Sequence, residues 1–114
     1  MGYAFDLADD ERRELLRIAR ATLREWVDSG RIPPGKPHRA ALVAPATVTV
    51  TVDGIAAASA EPRPLYRAIQ EAVVHAAGQR QPPLDYDEAE TIAIAIEVDG
   101  DAGPQVFADR PRAT

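Results

Sequence analysis

The sequence predicts an α+β domain: an antiparallel or mixed sheet of three to four strands with two main helices on one face. Three observations carry this expectation. Residues 46 to 52, "ATVTVTV", alternate threonine with valine and run into Asp53-Gly54, the turn chemistry of a β-hairpin. Residues 91 to 98, "TIAIAIEV", repeat the alternation with larger apolar side chains. Before and between these strands lie two stretches whose apolar residues recur at helical spacing. The 114 residues suit a single domain, with a core from about residue 7 to 108 and a loose tail at 109–114.

The first helix opens on Asp9, Asp10 and Glu11, whose charge complements the positive end of the helix dipole, with Asp6 or Asp9 placed to cap it. Leu15, Ile18, Ala19, Thr22, Leu23 and Trp26 share one stripe, and Arg13, Arg17, Arg20, Arg24 and Asp28 fall opposite. Gly30 ends the helix, and the three prolines of "RIPPGKPH" make the next stretch an extended connector. In the hairpin, Val52 opposes Ile55, Val50 opposes Ala57 and Val48 opposes Ser59, so Ala56 and Ala58 join the threonine face. The second helix begins near Arg63 or Pro64, buries Leu65, Ile69, Ala72, Val73 and Ala76, and closes at Gly78. "QPPLDYDEAE" reads as a turn-rich link. In the strand that follows, Ile92, Ile94, Ile96 and Val98 share one face, and Ala93 and Ala95 the other. "DGDAGP" then reads as a turn and "QVFA" as a short edge strand.

Composition narrows the function classes. Eighteen acidic residues against 13 Lys and Arg give a formal charge of −5, opposite to the basic balance that nucleic-acid binding needs. Without cysteine, disulfides, thiolate metal sites and a cysteine nucleophile are excluded. No apolar run approaches the ~18 residues of a membrane span, and the N-terminus lacks the basic and apolar regions of a signal peptide. Gly2 does not complete a myristoylation signal, because position 6 is Asp. The expectation is a cytoplasmic protein with neither membrane nor nucleic-acid partner and no cofactor.

Few side chains combine into a reaction centre. His38 and His75 are not spaced as ligands with any carboxylate, so no metal site is expected. Ser29 and Ser59 lack the glycine-flanked turn of a nucleophile elbow, and no catalytic residue is assigned. Asp85, Asp87, Glu88 and Glu90 do not follow a calcium-loop spacing and read as a solvated turn. Arg63, Arg67 and Arg80 are candidates to hold an anion; Arg63, His75 and Arg80 together form the candidate ligand site. Thr47, Thr49, Thr51, Ala56, Ala58, Ala93 and Ala95 would share the sheet face turned away from the helices. A solvated face of this kind usually carries long charged side chains, so this small, largely uncharged one is a candidate interface with another protein or a second copy.

Four segments in order, "DDERRELLRIARATLREWVDSG", "TVTVDG", "RPLYRAIQEAVVHAA" and "RQPPLDYDEAETIAIAIEV", resemble the AMMECR1-like family over residues 9 to 98. That family places the motif Leu-Arg-Gly-Cys-Ile-Gly after its hairpin turn. On this resemblance the motif falls on Ile55, Ala56, Ala57, Ala58, Ser59 and Ala60, so alanine replaces both the arginine and the cysteine. Arg80 matches a later family arginine, but the aspartate before it is deleted and Gln81 stands for phenylalanine. Only 16 residues follow Val98, so most of the family's C-terminal portion has no counterpart. Family members occur beside or fused to Memo-type and radical-SAM proteins. The resemblance therefore implies a shortened, non-catalytic accessory protein that acts by protein-protein interaction or self-association. The alternative it leaves is an enzyme or enzyme subunit, in a biosynthetic or modification pathway, with a pocket near Arg63, His75 and Arg80.

Overall fold

A computed structural model describes residues 9–34, 45–59, 63–80, 84–100 and 103–109. Asp6, His38, Gln81 and the tail after Asp109 lie outside the described residues. The elements in chain order are α1 (Asp9–Ser29), β1 (Pro45–Ala46), β2 (Val48–Val52), β3 (Ile55–Ala58), β4 (Arg63–Pro64), α2 (Leu65–Gly78), α3 (Tyr86–Thr91), β5 (Ile94–Gly100) and β6 (Gly103–Asp109). The fold is α+β. Four strands form an antiparallel sheet in the order β3-β2-β5-β6, and β1 pairs with β4 as a separate two-stranded ribbon.

The sheet follows from alternation. In β2, Val48, Val50 and Val52 are buried while Thr49 and Thr51 are only partly so. Val48 pairs with Val98, Val50 with Ile96 and Val52 with Ile94, which gathers six apolar side chains on one face. Leu65, Ile69, Ala72, Val73 and Ala76 of α2 and Leu15, Ala19 and Leu23 of α1 complete this core. Helix α2 lies against β2 and β3; α1 packs on α2 and β5, and α3 packs on α1.

The hairpin has the register that the turn requires: Val52 pairs with Ile55 and Val50 with Ala57. Asp53 at φ 52° and Gly54 at φ 78° supply the two left-handed residues of a type I′ turn. Ser59 lies just past β3 and extends the pairing, its N–H donating to the Val48 carbonyl and its Oγ accepting from the Val48 N–H. Gly30 at φ 71° ends α1, and its N–H donates to the Trp26 carbonyl.

Several boundaries depart from the sequence expectation, each for a local reason. Thr91 and Ile92 do not begin a strand: Thr91 closes α3 and Ile92 is its C-cap, so β5 starts at Ile94. The link "QPPLDYDEAE" contains that helix, nucleated by a capping box in which Asp85 accepts from the Glu88 N–H and Glu88 reaches back to the Asp85 N–H. Arg63 and Pro64 precede α2 rather than open it, because both pair with β1 and Pro64 serves as the N-cap. The edge strand runs seven residues and includes Asp109, which the sequence had assigned to the tail. Its Pro104 sits opposite Asp99, on an edge where a missing N–H is tolerated.

Two buried polar side chains were not anticipated. Arg20 is buried, although it falls opposite the α1 stripe, because α3 covers it and its Nη1 donates to the Ala89 carbonyl at 2.9 Å. Gln70 of α2 is also buried, and its Nε2 donates to the Pro33 carbonyl at 2.9 Å. That bond fixes the start of the proline segment, where Pro33 and Pro34 contribute no backbone donors of their own.

Truncating the sheet centre tests this packing. Ile96→Ala is expected to lower stability by about 3 kcal/mol in urea denaturation. Gly54→Ala has open space for its Cβ, so its expected cost of about 1 kcal/mol is conformational, and Gly54→Asn should recover most of it.

Candidate functional site

The face of the sheet turned away from the helices is built row by row from the strand register. Thr49 lies between Ala58 and Glu97, and Glu97 between Thr49 and Val106. In the next row Thr51 lies between Ala56 and Ala95, and Ala95 beside Ala108. Thr47 and Ala93 flank these rows, just before β2 and β5. Ala56, Ala58, Ala93, Val106 and Ala108 are exposed, while Thr47, Thr49, Thr51, Ala95 and Glu97 are half-buried. Strand β6 thus adds Val106, 64% exposed, and Ala108 to the face that the sequence outlined. Glu97 is its single charged side chain among the described residues of these two rows. Its place in the alternation of "AIEV" was legible in the sequence; its neighbours Thr49 and Val106 needed the register.

The polar candidates do not converge. Arg63 precedes α2 and Arg80 follows it, so the length of that helix, about 20 Å at 1.5 Å per residue, lies between them. Arg63 Nε pairs with Glu71 Oε2 at 3.0 Å, both side chains nearly half exposed. His75 is exposed on the last turn of α2. Arg67 lies over the Tyr66 ring at 5.6 Å from its centroid. Arg80 is the most enclosed of these groups, its side chain 20% exposed, and it bridges two elements. Its Nε pairs with Asp53 Oδ2 in the hairpin turn at 3.2 Å, and its Nη1 with Glu88 Oε2 in α3 at 2.7 Å.

The acidic run 85–90 is spent in the same way. Asp85 and Glu88 cap α3, Glu88 also meets Arg80, and Glu90 pairs with Arg24 Nη1 at 3.3 Å. With Arg20 on the Ala89 carbonyl, three arginines from two other segments fasten a helix of six residues. A helix this short is marginal alone, so these contacts and the capping box account for its presence. The signal for it in the sequence was Asp85 three residues before Glu88. On the hairpin's second arm, Ala56 and Ala58 expose only methyl groups, Ala57 is buried, and the Ser59 hydroxyl is engaged with Val48. Among the described residues no three His, Asp or Glu side chains gather as a metal set. No described helix is long and apolar enough to cross a membrane.

This arrangement, an antiparallel sheet with helices on one side and an open face on the other, has a counterpart among solved structures. The uncharacterized protein PH0010 from Pyrococcus horikoshii superposes with a TM-score of 0.64 at 22% identity, over 74% of this chain and 48% of that one. At that identity the likeness shows a shared fold, and this chain spans about half the length of that protein. No family model and no curated protein matches the sequence.

The placement of the arginines sets their expected roles. Arg80→Ala should lower stability by about 1 kcal/mol, measured by urea denaturation, because two partners lose their cation. Arg63→Ala, on a more exposed pair, should change it by less than about 0.5 kcal/mol. Equal losses at both sites would contradict the bridging role of Arg80.

Proposed function

We propose that this chain is a non-catalytic relative of the AMMECR1-like family that works by binding a protein partner through the open face of its sheet. The observation that carries the reading is chemical blankness where the family keeps its motif. Positions 56 to 58 are alanine, and the one polar group beside them, Ser59, is committed to backbone. Ala56 and Ala58 of this stretch contribute to a surface of Thr, Ala and Val side chains, where small residues permit close approach.

Glu97 decides between partners. Packing two copies face to face would bury two carboxylates, one from each chain, and the described rows offer no cation to meet them. Removing unpaired charges from water costs several kcal/mol per ion. A different protein that sets a Lys or Arg opposite Glu97 avoids that cost and gains specificity. Four strands about 4.8 Å apart, with about five residues each, make a plane of roughly 300 Å². That extent places the contact with small, transient interfaces.

Two measurements test this. Light scattering should find a monomer; a dimer dispersed by Thr49→Arg would identify a second copy as the occupant and overturn the heterologous reading. A photoreactive residue replacing Thr51 should crosslink in cells to one discrete protein, at a peptide containing Lys or Arg. Glu97→Lys should abolish that adduct, and reversing the partner's charge should restore it. Adduct formation indifferent to Glu97→Lys would sink the proposal.

A further inference from the structure

On the other side of the molecule, α1 carries Arg13, Arg17, Arg20 and Arg24 in one row. Spacings of four, three and four residues keep them within about 60° of one another around the helix and spread them over roughly 16 Å along it. With Leu16 they line a cavity of about 270 Å³. Like charges three or four apart on a helix repel, so such a row is mildly destabilising wherever nothing offsets it. The fold engages half of it: Arg20 is buried with its Nη1 donating to the Ala89 carbonyl, and Arg24 pairs with Glu90. Arg13 and Arg17 are exposed, and neither has a carboxylate partner among the described residues. A chain of net charge −5 thus concentrates four of its 13 basic residues around one depression and leaves two of them uncompensated.

We infer that this depression binds a small phosphorylated ligand, with its phosphate or diphosphate group held by Arg13 and Arg17. The guanidinium fork matches phosphate oxygens in pairs. Arg20, held by its bond to the Ala89 carbonyl, and Leu16 complete the lining, Leu16 offering an apolar contact to the rest of the ligand. The volume lies just below the range of drug-sized pockets, which suits a small metabolite rather than a polymer. The site is independent of the proposed protein interface, because α1 packs on the core side of the sheet.

Titration calorimetry of the full chain with inorganic pyrophosphate, and separately with inorganic phosphate, tests the inference. At low salt, saturable binding of one ligand per chain is expected, weakening as salt screens the arginines. Arg13→Gln and Arg17→Gln should each reduce affinity by about tenfold, while Arg31→Gln, at an exposed position beyond α1, should leave it unchanged. Phosphate binding should tighten as pH rises through the second ionisation of inorganic phosphate, near neutrality, where its second negative charge appears, and sulfate binding should not. The Arg13→Gln, Arg17→Gln double variant should melt no lower than the wild type without ligand, since repulsion is removed, yet lose its ligand-induced shift. No saturable binding by the wild type, or undiminished affinity in Arg17→Gln, overturns the site. Binding of a single-stranded oligonucleotide far more tightly than pyrophosphate, with the same arginine dependence, overturns the small-ligand assignment.

Discussion

The pairing of β2 with β5 is the constraint on which the rest of the structure rests. Val48, Val50 and Val52 meet Val98, Ile96 and Ile94 in one antiparallel register, and all six are essentially excluded from water. Because side chains alternate strictly, a slip of one residue would turn one whole set outward and draw threonine, alanine and Glu97 into the core. Both helices depend on this surface: α2 buries Leu65, Ile69 and Val73 against it, and α1 closes over α2 and β5. The same register composes the opposite face, so what the core demands of odd and even positions also dictates which small residues the open side displays.

Around that sheet, arginine does much of the fastening that a larger core would otherwise provide. Arg20 and Arg24 secure α3 from α1, and Arg80 ties α3 to the hairpin turn. These pairs are individually modest where exposed, but they converge on one short helix whose own hydrogen bonds are few. The acidic run that recruits them therefore has a structural use, and the arginines left over, Arg13 and Arg17, stand out because their neighbours in the row are already satisfied.

Local chemistry made part of this legible in the sequence. The period of "ATVTVTV" and the Asp-Gly turn specify a hairpin register without reference to the rest of the chain, and the structure has that register. The stripes of both long helices were likewise visible, since burial of Leu15, Leu23, Ile69 and Val73 follows from spacing alone. What was hidden required neighbours distant in sequence. Arg20 lies on the wrong side of its own helix to be buried until α3 arrives from 69 residues away. Ile92 continues the isoleucine alternation, yet the capping box upstream claims Thr91 for a helix and Ile92 for its cap. The sequence outlines the candidate face from β2, β3 and Ala93 and Ala95 of the β5 segment, but Val106 and Ala108 join it only through pairing with β5. Arg63, His75 and Arg80 were chosen by residue type, and an intervening helix separates the two arginines.

The central strand pair also sets an order of events. Val50 and its partner Ile96 are separated by about two-fifths of the chain, so β2 leaves the ribosome well before its neighbour exists. Until then one side of it is covered by the four-residue β3 and the other is an open edge of alternating valines. Loop closure over that separation makes the pairing a late and entropically demanding step. The nascent or partly unfolded protein is accordingly most prone to aggregate at β2, the strand that becomes one of its best protected once β5 is in place.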